Sequence, residues 1–177
     1  DLGPLLKAEP EAWRKANYSD ALLSLGQVGS KQAGLAFNAS TPLMYFNAEL
    51  VKKAGGDPEK MPDNWADTIA LAKKIKTADV AGLAYNIHDW PDDWLWRGIV
   101  QQGGHTLLDA SGKKVAFGGE VGLEALGTLR SFVTEAGMPL IDWVQSRQQF
   151  IAGKIGVFFD TPARLRQVTD LIGGRFT

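Results

Sequence analysis

Short apolar runs that alternate with helical patterns constrain the fold of this chain more than any other feature. Three of these runs have the length of a strand: Leu43–Phe46, residues 81–87 (AGLAYNI) and residues 154–160 (KIGVFFD). Between successive runs the apolar residues recur at helical spacing. This alternation predicts an α/β fold in which helices cover a sheet.

The segment after Pro62 carries the clearest helical pattern. Asn64 is a suitable N-cap, and Asp67 follows it three residues later as an acidic variant of the capping box. An apolar stripe then continues at helical spacing through Trp65, Ile69, Ala72 and Ile75. The sequence therefore predicts an amphipathic helix that begins directly after Asn64.

Similar patterns predict the remaining elements. Helices are expected from Leu5 to about Asn17, from Ser19 or Asp20 through Leu25, from Asn47 to about Ala54, from Pro91 to about Gln102, from Glu120 to about Ala136, from about Gln145 to Ala152, and after residues 160–163 to about Ile172. Residues 26–32 are expected to form a loop, Gly34–Phe37 the end of a strand, and residues 105–117 a hairpin that turns at residues 109–113.

Composition excludes several classes of function. The 177 residues carry a net charge of -1 with no basic block, which argues against binding to nucleic acid or to an anionic membrane. The absence of cysteine excludes disulfides, thiol catalysis and Cys-ligated metals. No apolar run approaches the roughly 20 residues of a membrane helix. The first ten residues lack the regions of a signal peptide, so we expect a mature or truncated chain, or one that is never exported.

Polar and aromatic side chains follow two of the predicted strands, where open α/β sheets bind their ligands. The first group is His88, Asp89 and Trp90, and the second is Asp160, Thr161 and Pro162. A third polar segment, residues 38–41 (NAST), separates Gly34–Phe37 from Leu43–Phe46. Amides and carboxylates suit hydroxyl groups, tryptophan faces stack on sugar rings, and helix N-termini bind phosphate or carboxylate. These loops predict a site for a small polar ligand.

The same groups also have structural interpretations. Asp89, Asp92 and Asp93 are placed to cap the following helix, and Asp160 to cap the last one. Trp94 and Trp96 lie on a predicted helix, so at least one of them is expected in the core, whereas Trp90 is equally consistent with core and ligand. Arg164 falls in the first turn of a helix, where the dipole disfavours a cation, and this favours a contact with an anion.

Catalytic and metal-binding patterns are weak. Asp160 with Asp89 or Asp93 is the carboxylate pair best suited to glycoside chemistry, but a chain with 20 acidic residues offers many such pairs. The two histidines, His88 and His105, do not have the spacing of metal ligands. We therefore expect a protein that is not an enzyme and that has no metal site and no cofactor.

Three longer stretches resemble a known family in the same order and with similar gaps. Residues 34–76 contain a strand that reaches a polar crossing, a second strand followed by the helix NAELVKKAG, and the helix start PDNWAD. Residues 94–104 (WLWRGIVQQGG) and residues 148–165 (QQFIAGKIGVFFDTPARL) complete the set. Together they resemble the extracellular solute-binding proteins of ABC importers, in the cluster of the maltose-binding and glycerol-3-phosphate-binding proteins. The departures are small: Asn64 stands at the usual Thr cap, and Val157–Phe158 at the usual Ala-Met.

The resemblance implies a type II periplasmic-binding-protein fold, in which two α/β lobes are joined by a hinge. Residues 1–37 would be part of the first lobe, residues 38–42 the hinge crossing, and residues 43–177 the second lobe, in an incomplete two-lobe architecture. The chain would then be a fragment of a longer periplasmic or extracellular protein. Its partners would be the permease subunits of the importer, to which it delivers its ligand.

The resemblance also assigns candidate ligand-binding residues by position. Asn38, Ser40 and Thr41 match the hinge; Asp89, Trp90 and Asp93 match the loop and helix start after the third strand; Thr161, Pro162 and Ala163 match the loop after the late strand, with Asp160 and Arg164 on either side. Ala163 stands where maltose-type proteins carry a stacking Trp, which argues against a long maltodextrin.

The implied ligand is a sugar, an oligosaccharide or a polyol, including phosphorylated or acidic ones. Three alternatives stay open at this point. The chain is a fragment of a carbohydrate-active enzyme that uses Asp160 and a second carboxylate, or it binds a solute that is not a sugar, or it is a structural domain whose tryptophans form a core.

Overall fold

The computed structural model describes residues 1–86 and 94–177. The described chain divides into two compact units, Asp1–Thr41 and Pro42–Thr177. Five residues discussed above, His88, Asp89, Trp90, Asp92 and Asp93, lie outside the described residues, as does Pro91.

The first unit contains three short helices and a small hairpin. The helices are α1 (Gly3–Ala8), α2 (Glu11–Asn17) and α3 (Asp20–Ser24), and strands β1 (Gln27–Val28) and β2 (Lys31–Gln32) pair antiparallel. The prediction of one helix from Leu5 to Asn17 was wrong because Pro10 interrupts it. Glu9 before Pro10 is extended (φ -72°, ψ 145°), as a residue that precedes proline prefers. Ser19 caps α3 as predicted, since its hydroxyl accepts from the Leu22 backbone N–H.

Two other expectations for the first unit were wrong. Residues 26–32 form the β1–β2 hairpin instead of an open loop. Residues 34–37 form no strand, and the Phe37 side chain is fully exposed. The chain turns at Gly26, where a Cβ atom would collide with the Gly34 carbonyl, and the buried Gln32 amide donates to that same carbonyl at 2.7 Å. The Gly34 backbone N–H also donates to the Gly26 carbonyl at 3.1 Å, so residue 34 lies beside Gly26 and does not continue into a strand.

The second unit is built on a three-stranded mixed sheet. Its strands are β3 (Leu43–Phe46), β4 (Ala81–Ala84) and β5 (Ile155–Asp160), in the order β3-β5-β4. Central β5 runs parallel to β4 and antiparallel to β3. All six of its residues are buried, which is why its sequence is a continuous apolar run.

Helices supply the apolar residues that bury this sheet. They are α4 (Ala48–Lys53), α5 (Trp65–Ile75), α6 (Trp94–Gln102), α7 (Glu120–Thr134), α8 (Trp143–Ile151) and α9 (Leu165–Ile172). One core cluster joins α5, α6 and α7 to the sheet through Ala72, Leu95 and Phe132. A second joins α8 and α9 to it through Phe150 and Val168. This α/β arrangement is the predicted fold class.

Local sequence signals set most helix ends as predicted. Asn47 caps α4, Asn64 caps α5, and Gly173 ends α9 in the left-handed conformation (φ 59°). Helix α8 begins two residues before its predicted start because Asp142 caps it. The predicted hairpin of residues 105–117 is reduced to a single antiparallel bridge between Leu108 and Val115.

Candidate functional site

The topology brings two polar loops and the start of β3 to one edge of the sheet. Because β4 and β5 are parallel, their carboxyl ends lie at the same edge. Because β3 is antiparallel to β5, its first residue, Leu43, pairs with Asp160, the last residue of β5. Asn86, Thr161 and Pro42 therefore mark the edge where open α/β sheets bind ligands.

A small cleft opens beside this edge. Its lining is predominantly apolar and consists of Pro42, Tyr85, Asn86, Trp94, Trp143 and Phe159. Trp94 at the start of α6 and Trp143 at the start of α8 are half-buried, so each presents part of its indole to solvent. The space between these side chains is about 10 Å³, which is room for about one water molecule, so this cleft can hold only a small part of a ligand.

Tyr85 holds the start of α6 against the sheet. Its hydroxyl accepts a hydrogen bond from the Leu95 backbone N–H at 2.9 Å, and its ring packs edge-on against Phe159 with the centroids 6.2 Å apart. The side chain is buried. The position of Trp94, which precedes Leu95, is thus tied to the residue that follows β4.

Asp160 is enclosed by partners at the end of β5. Arg147 Nε donates to Asp160 Oδ2 at 2.8 Å, and the Thr161 backbone N–H donates to Asp160 Oδ1 at 2.7 Å. The Asp160 side chain has no exposed surface, and that of Arg147 is 13% exposed. The guanidinium of Arg147 also lies over the indole of Trp143, 5.3 Å from the ring centroid. A carboxylate buried in this way is a structural anchor in the described chain.

The loop after Asp160 is held at its first residue. The Tyr45 hydroxyl donates to the Thr161 carbonyl at 2.7 Å, and the Thr161 hydroxyl accepts from the Ala163 backbone N–H at 3.3 Å. A short 3-10 turn over Pro162–Arg164 follows. Burial raises the pKa of the Tyr45 phenol above its ordinary value, and the Asp160 carboxylate raises it further, while the Arg147 guanidinium lowers it.

The predicted site residues fall into three groups. Asp160, Thr161, Pro162, Ala163 and Arg164 lie together at the edge; Thr161 is buried, Pro162 half-buried, and Ala163 and Arg164 are exposed. Asn38, Ser40 and Thr41 are exposed in the first unit. Asp89, Trp90 and Asp93 lie outside the described residues. Arg164 donates to Gln167 Oε1 at 3.1 Å on the surface.

Several residues of this edge are not among the candidates predicted from the sequence. These residues are Tyr45, Tyr85, Trp143 and Arg147; of Trp94 and Trp96, at least one was expected in the core. In the structure both are half-buried: Trp94 lines the cleft, and Trp96 packs edge-on to Phe117 at 4.8 Å between centroids. One signal for Trp143 was present, because it directly follows Asp142, a potential helix cap. No local pattern marks Arg147, whose partner lies 13 residues away.

The part of the chain that the structure describes contains neither a candidate metal site nor a candidate membrane-spanning helix. No group of three or more histidine, cysteine, aspartate or glutamate residues is arranged to hold a metal ion. No helix in residues 1–86 and 94–177 is long and apolar enough to cross a membrane.

Related proteins agree with this architecture. The glycerol-3-phosphate-binding periplasmic protein UgpB of Escherichia coli K12 is 42% identical over 55 residues, which are 30% of this chain and 13% of that protein. A solute-binding protein of Thermotoga lettingae, solved with α-D-tagatose, superposes with a TM-score of 0.80 at 18% identity, over 99% of this chain and 47% of that one. UgpB of Mycobacterium tuberculosis, solved with glycerophosphocholine, superposes with a TM-score of 0.76 at 18% identity, over 92% of this chain and 42% of that one.

The chain spans less than half the length of either solved protein. Their shared fold is that of periplasmic binding proteins, which confirms the predicted fold class, an α/β lobe in an incomplete two-lobe architecture. The sequence family described as bacterial extracellular solute-binding protein matches residues 1–170. The chain therefore belongs to the family of bacterial extracellular solute-binding proteins.

Proposed function

We propose that this chain is part of the substrate-binding component of an ABC importer, which captures a sugar, an oligosaccharide or a polyol, including phosphorylated or acidic ones, and delivers it to the permease. The observation that carries the proposal is the cleft at the carboxyl ends of β4 and β5. Half-buried Trp94 and Trp143 line the cleft together with Asn86, and Thr161 begins the neighbouring loop at the same edge of the sheet. Indole faces suit the apolar faces of sugar rings, and amides and hydroxyls suit their hydroxyl groups.

The names of the related proteins support this ligand class. The relatives and neighbours include proteins for sn-glycerol-3-phosphate, tagatose, glycerophosphocholine and cycloalternan. All of these are polyols, sugars or their phosphate derivatives. We therefore propose a hydroxyl-rich small molecule as the ligand ahead of an amino acid or a peptide.

The candidate ligand contacts are the hinge residues Asn38, Ser40 and Thr41, the loop residues Asp89, Trp90 and Asp93, and residues Thr161–Arg164. The cleft geometry adds Trp94 and Trp143 to this set. In the proposal, residues 1–37 belong to the first lobe, 38–42 to the hinge and 43–177 to the second lobe. The division of the chain into compact units between Thr41 and Pro42 supports that assignment.

Binding without catalysis is part of the proposal. Both carboxylate oxygens of Asp160 accept hydrogen bonds within the chain, and its side chain has no exposed surface. A general acid or a nucleophile must reach the bond that it attacks. Asp160 therefore suits an anchoring role. Its burial argues against the alternative of an enzyme that uses Asp160 as a catalytic carboxylate.

Intrinsic tryptophan fluorescence tests the proposal directly. The chain is titrated to millimolar concentrations with D-tagatose, maltose, sn-glycerol 3-phosphate and, as a solute that is not a sugar, glycine. We expect a saturable change with at least one hydroxyl-rich solute, lost in Trp94→Ala and in Trp143→Ala. Trp96→Phe is the matched control because Trp96 packs against Phe117 and does not line the cleft.

Three results would overturn the proposal. The absence of a saturable response to every solute tested would leave it without a ligand. A saturable response to glycine alone would move the chain to another ligand class. Hydrolysis of an aryl glycoside that survives purification and is abolished by Asp160→Asn would restore the enzyme alternative.

A further inference from the structure

We propose that Arg147 is a positioning residue that couples Trp143 to the loop that begins at Thr161. This inference rests on the proposed function in one respect only, namely that Trp143 and this loop face the ligand. Arg147 lies between the two elements: its Nε donates to Asp160 Oδ2 at 2.8 Å, and its guanidinium carbon is 5.3 Å from the centroid of the Trp143 ring.

The chemistry of the guanidinium allows both contacts at once. Its donors lie in the plane of the group, while its faces are free to stack on an aromatic ring. Arg147 bonds Asp160 through Nε while its guanidinium carbon lies over the indole of Trp143, 5.3 Å from the ring centroid. A lysine at this position would keep the positive charge, but its compact ammonium would not reproduce this combination.

Helix geometry fixes one half of the arrangement. Trp143 and Arg147 are four residues apart on α8, so they lie on the same face of the helix. Asp160 comes from β5, in the centre of the sheet. The guanidinium thus ties an aromatic residue of the cleft, carried by α8, to the strand that leads into the polar loop.

The coupling continues from Asp160 into the loop. Asp160 Oδ1 accepts from the Thr161 backbone N–H, and the Tyr45 hydroxyl holds the Thr161 carbonyl from the other side. A rotation of the Trp143 indole would displace the guanidinium, and through it the carboxylate that orders Thr161. Site residues locked by such supporting contacts bind with a smaller ordering cost.

Amide hydrogen exchange on the chain without ligand tests the coupling. The reporter is the backbone amide of Thr161. The control is the backbone amide of Gly82 in β4, which donates to the Ala136 carbonyl. Four proteins are compared: the wild type, W143F, R147K and W143F/R147K. R147K keeps the charge opposite Asp160, so it avoids an uncompensated buried carboxylate.

We expect W143F to speed exchange at Thr161 by about threefold in the wild-type background and by a much smaller factor in the R147K background, since coupled residues are not additive. Exchange at Gly82 should stay unchanged in all four proteins. R166K is the matched control substitution, because Arg166 forms an exposed pair with Asp170 on α9.

Each other outcome contradicts the proposal. If W143F leaves Thr161 unchanged, or changes it equally in both backgrounds, Arg147 does not couple the two elements. If Gly82 and Thr161 exchange faster by the same factor, Arg147 supports the whole unit and is no positioning residue.

A second measurement separates this proposal from the function on which it rests. If the wild type responds to sn-glycerol 3-phosphate or D-tagatose, we expect R147K to weaken that affinity by about fivefold, the scale of a lost cation–π contact. If R147K binds the solute with the same affinity as the wild type, Arg147 has no role in ligand binding, even if the exchange experiment shows the coupling. If the wild type responds to no solute, the proposed function fails, while the exchange experiment still decides the coupling.

Discussion

Two carboxylates of this chain are held by contrasting means. Asp67 is exposed, and its partner is Asn64, three residues away: the Asn64 side chain accepts from the Asp67 backbone N–H at 2.9 Å and donates to Asp67 Oδ2 at 2.8 Å. Asp160 is buried, and Arg147 from α8 and the Thr161 backbone hold it, with Tyr45 from β3 beside them. Asp67 belongs to a helix cap, and Asp160 to a network that joins three elements.

The contrast separates interactions that form locally from those that depend on the whole fold. The Asn64–Asp67 cap needs only the first turn of α5, so it forms wherever that helix forms. The Asp160 network needs β3, β5 and α8 to be in place at once. Its charges also lie in a less polar environment, where losing one partner costs more than it does at the surface.

Removing Arg147 should produce the largest effect. Arg147→Met keeps much of the side-chain volume but leaves the Asp160 carboxylate buried without its counter-charge. We expect a loss of about 3 kcal/mol in the free energy of unfolding, measured by urea denaturation. Arg166→Met, which breaks an exposed pair on α9, should change it by less than about 0.5 kcal/mol. Equal losses in the two variants would mean that burial does not distinguish these ion pairs.

Removing the α5 cap should have a smaller effect. Asn64→Ala leaves the Asp67 backbone N–H without its acceptor, and we expect a loss of about 1 kcal/mol in the free energy of unfolding. Asn64→Ser retains an oxygen that accepts this hydrogen bond, so it should recover most of that loss. A loss as large as that of Arg147→Met would contradict the view that this cap acts locally.

Tyr45 allows the network to be tested without changing a charge near neutral pH. Tyr45→Phe removes the hydrogen bond to the Thr161 carbonyl, and we expect a loss of about 1 kcal/mol in the free energy of unfolding at pH 7. Thermal and urea denaturation both measure it. The neighbouring Phe150 and Phe158 rings should hold the new phenyl ring in place.

The pH dependence of the same pair of proteins gives an independent check. The pKa of the Tyr45 phenol is raised by burial and then by the Asp160 charge, so folding favours its protonated form. This contribution is fully present below the phenol's unfolded pKa of about 10 and is lost as the pH rises through the folded value. The stability difference between wild type and Tyr45→Phe should therefore shrink above about pH 10. A difference that grows there would reverse the sign of the interaction.

The same contrast explains what could be predicted from the sequence. The caps at Asn47 and Asn64, the amphipathic stripe of α5 and the continuous apolar run of β5 are local, and all were predicted. The break at Pro10 was also local but was not weighed against the helical pattern around it. Arg147 could not have been found, because its role depends on the register of β3, β5 and α8. Asp160 was noticed for its position at the end of a strand, but its burial follows from partners that no spacing reveals.

Removing Arg164 should have the smallest effect on stability, although Arg164 lies in the loop after Asp160 and Arg147 does not. Its guanidinium is exposed and donates to Gln167 Oε1, so Arg164→Ala should change the free energy of unfolding by less than about 0.5 kcal/mol.

The same variant tests whether Arg164 contacts an anionic ligand. If it does, Arg164→Ala should weaken the fluorescence response to sn-glycerol 3-phosphate and leave the response to D-tagatose unchanged. Gln167→Ala is the control, since it frees the same guanidinium without removing it. Equal weakening for both solutes would show that Arg164 supports the loop and does not contact the anionic group of the ligand. The buried Arg147 and the exposed Arg164 would then both have a structural role, contrary to the contrast between buried and exposed side chains.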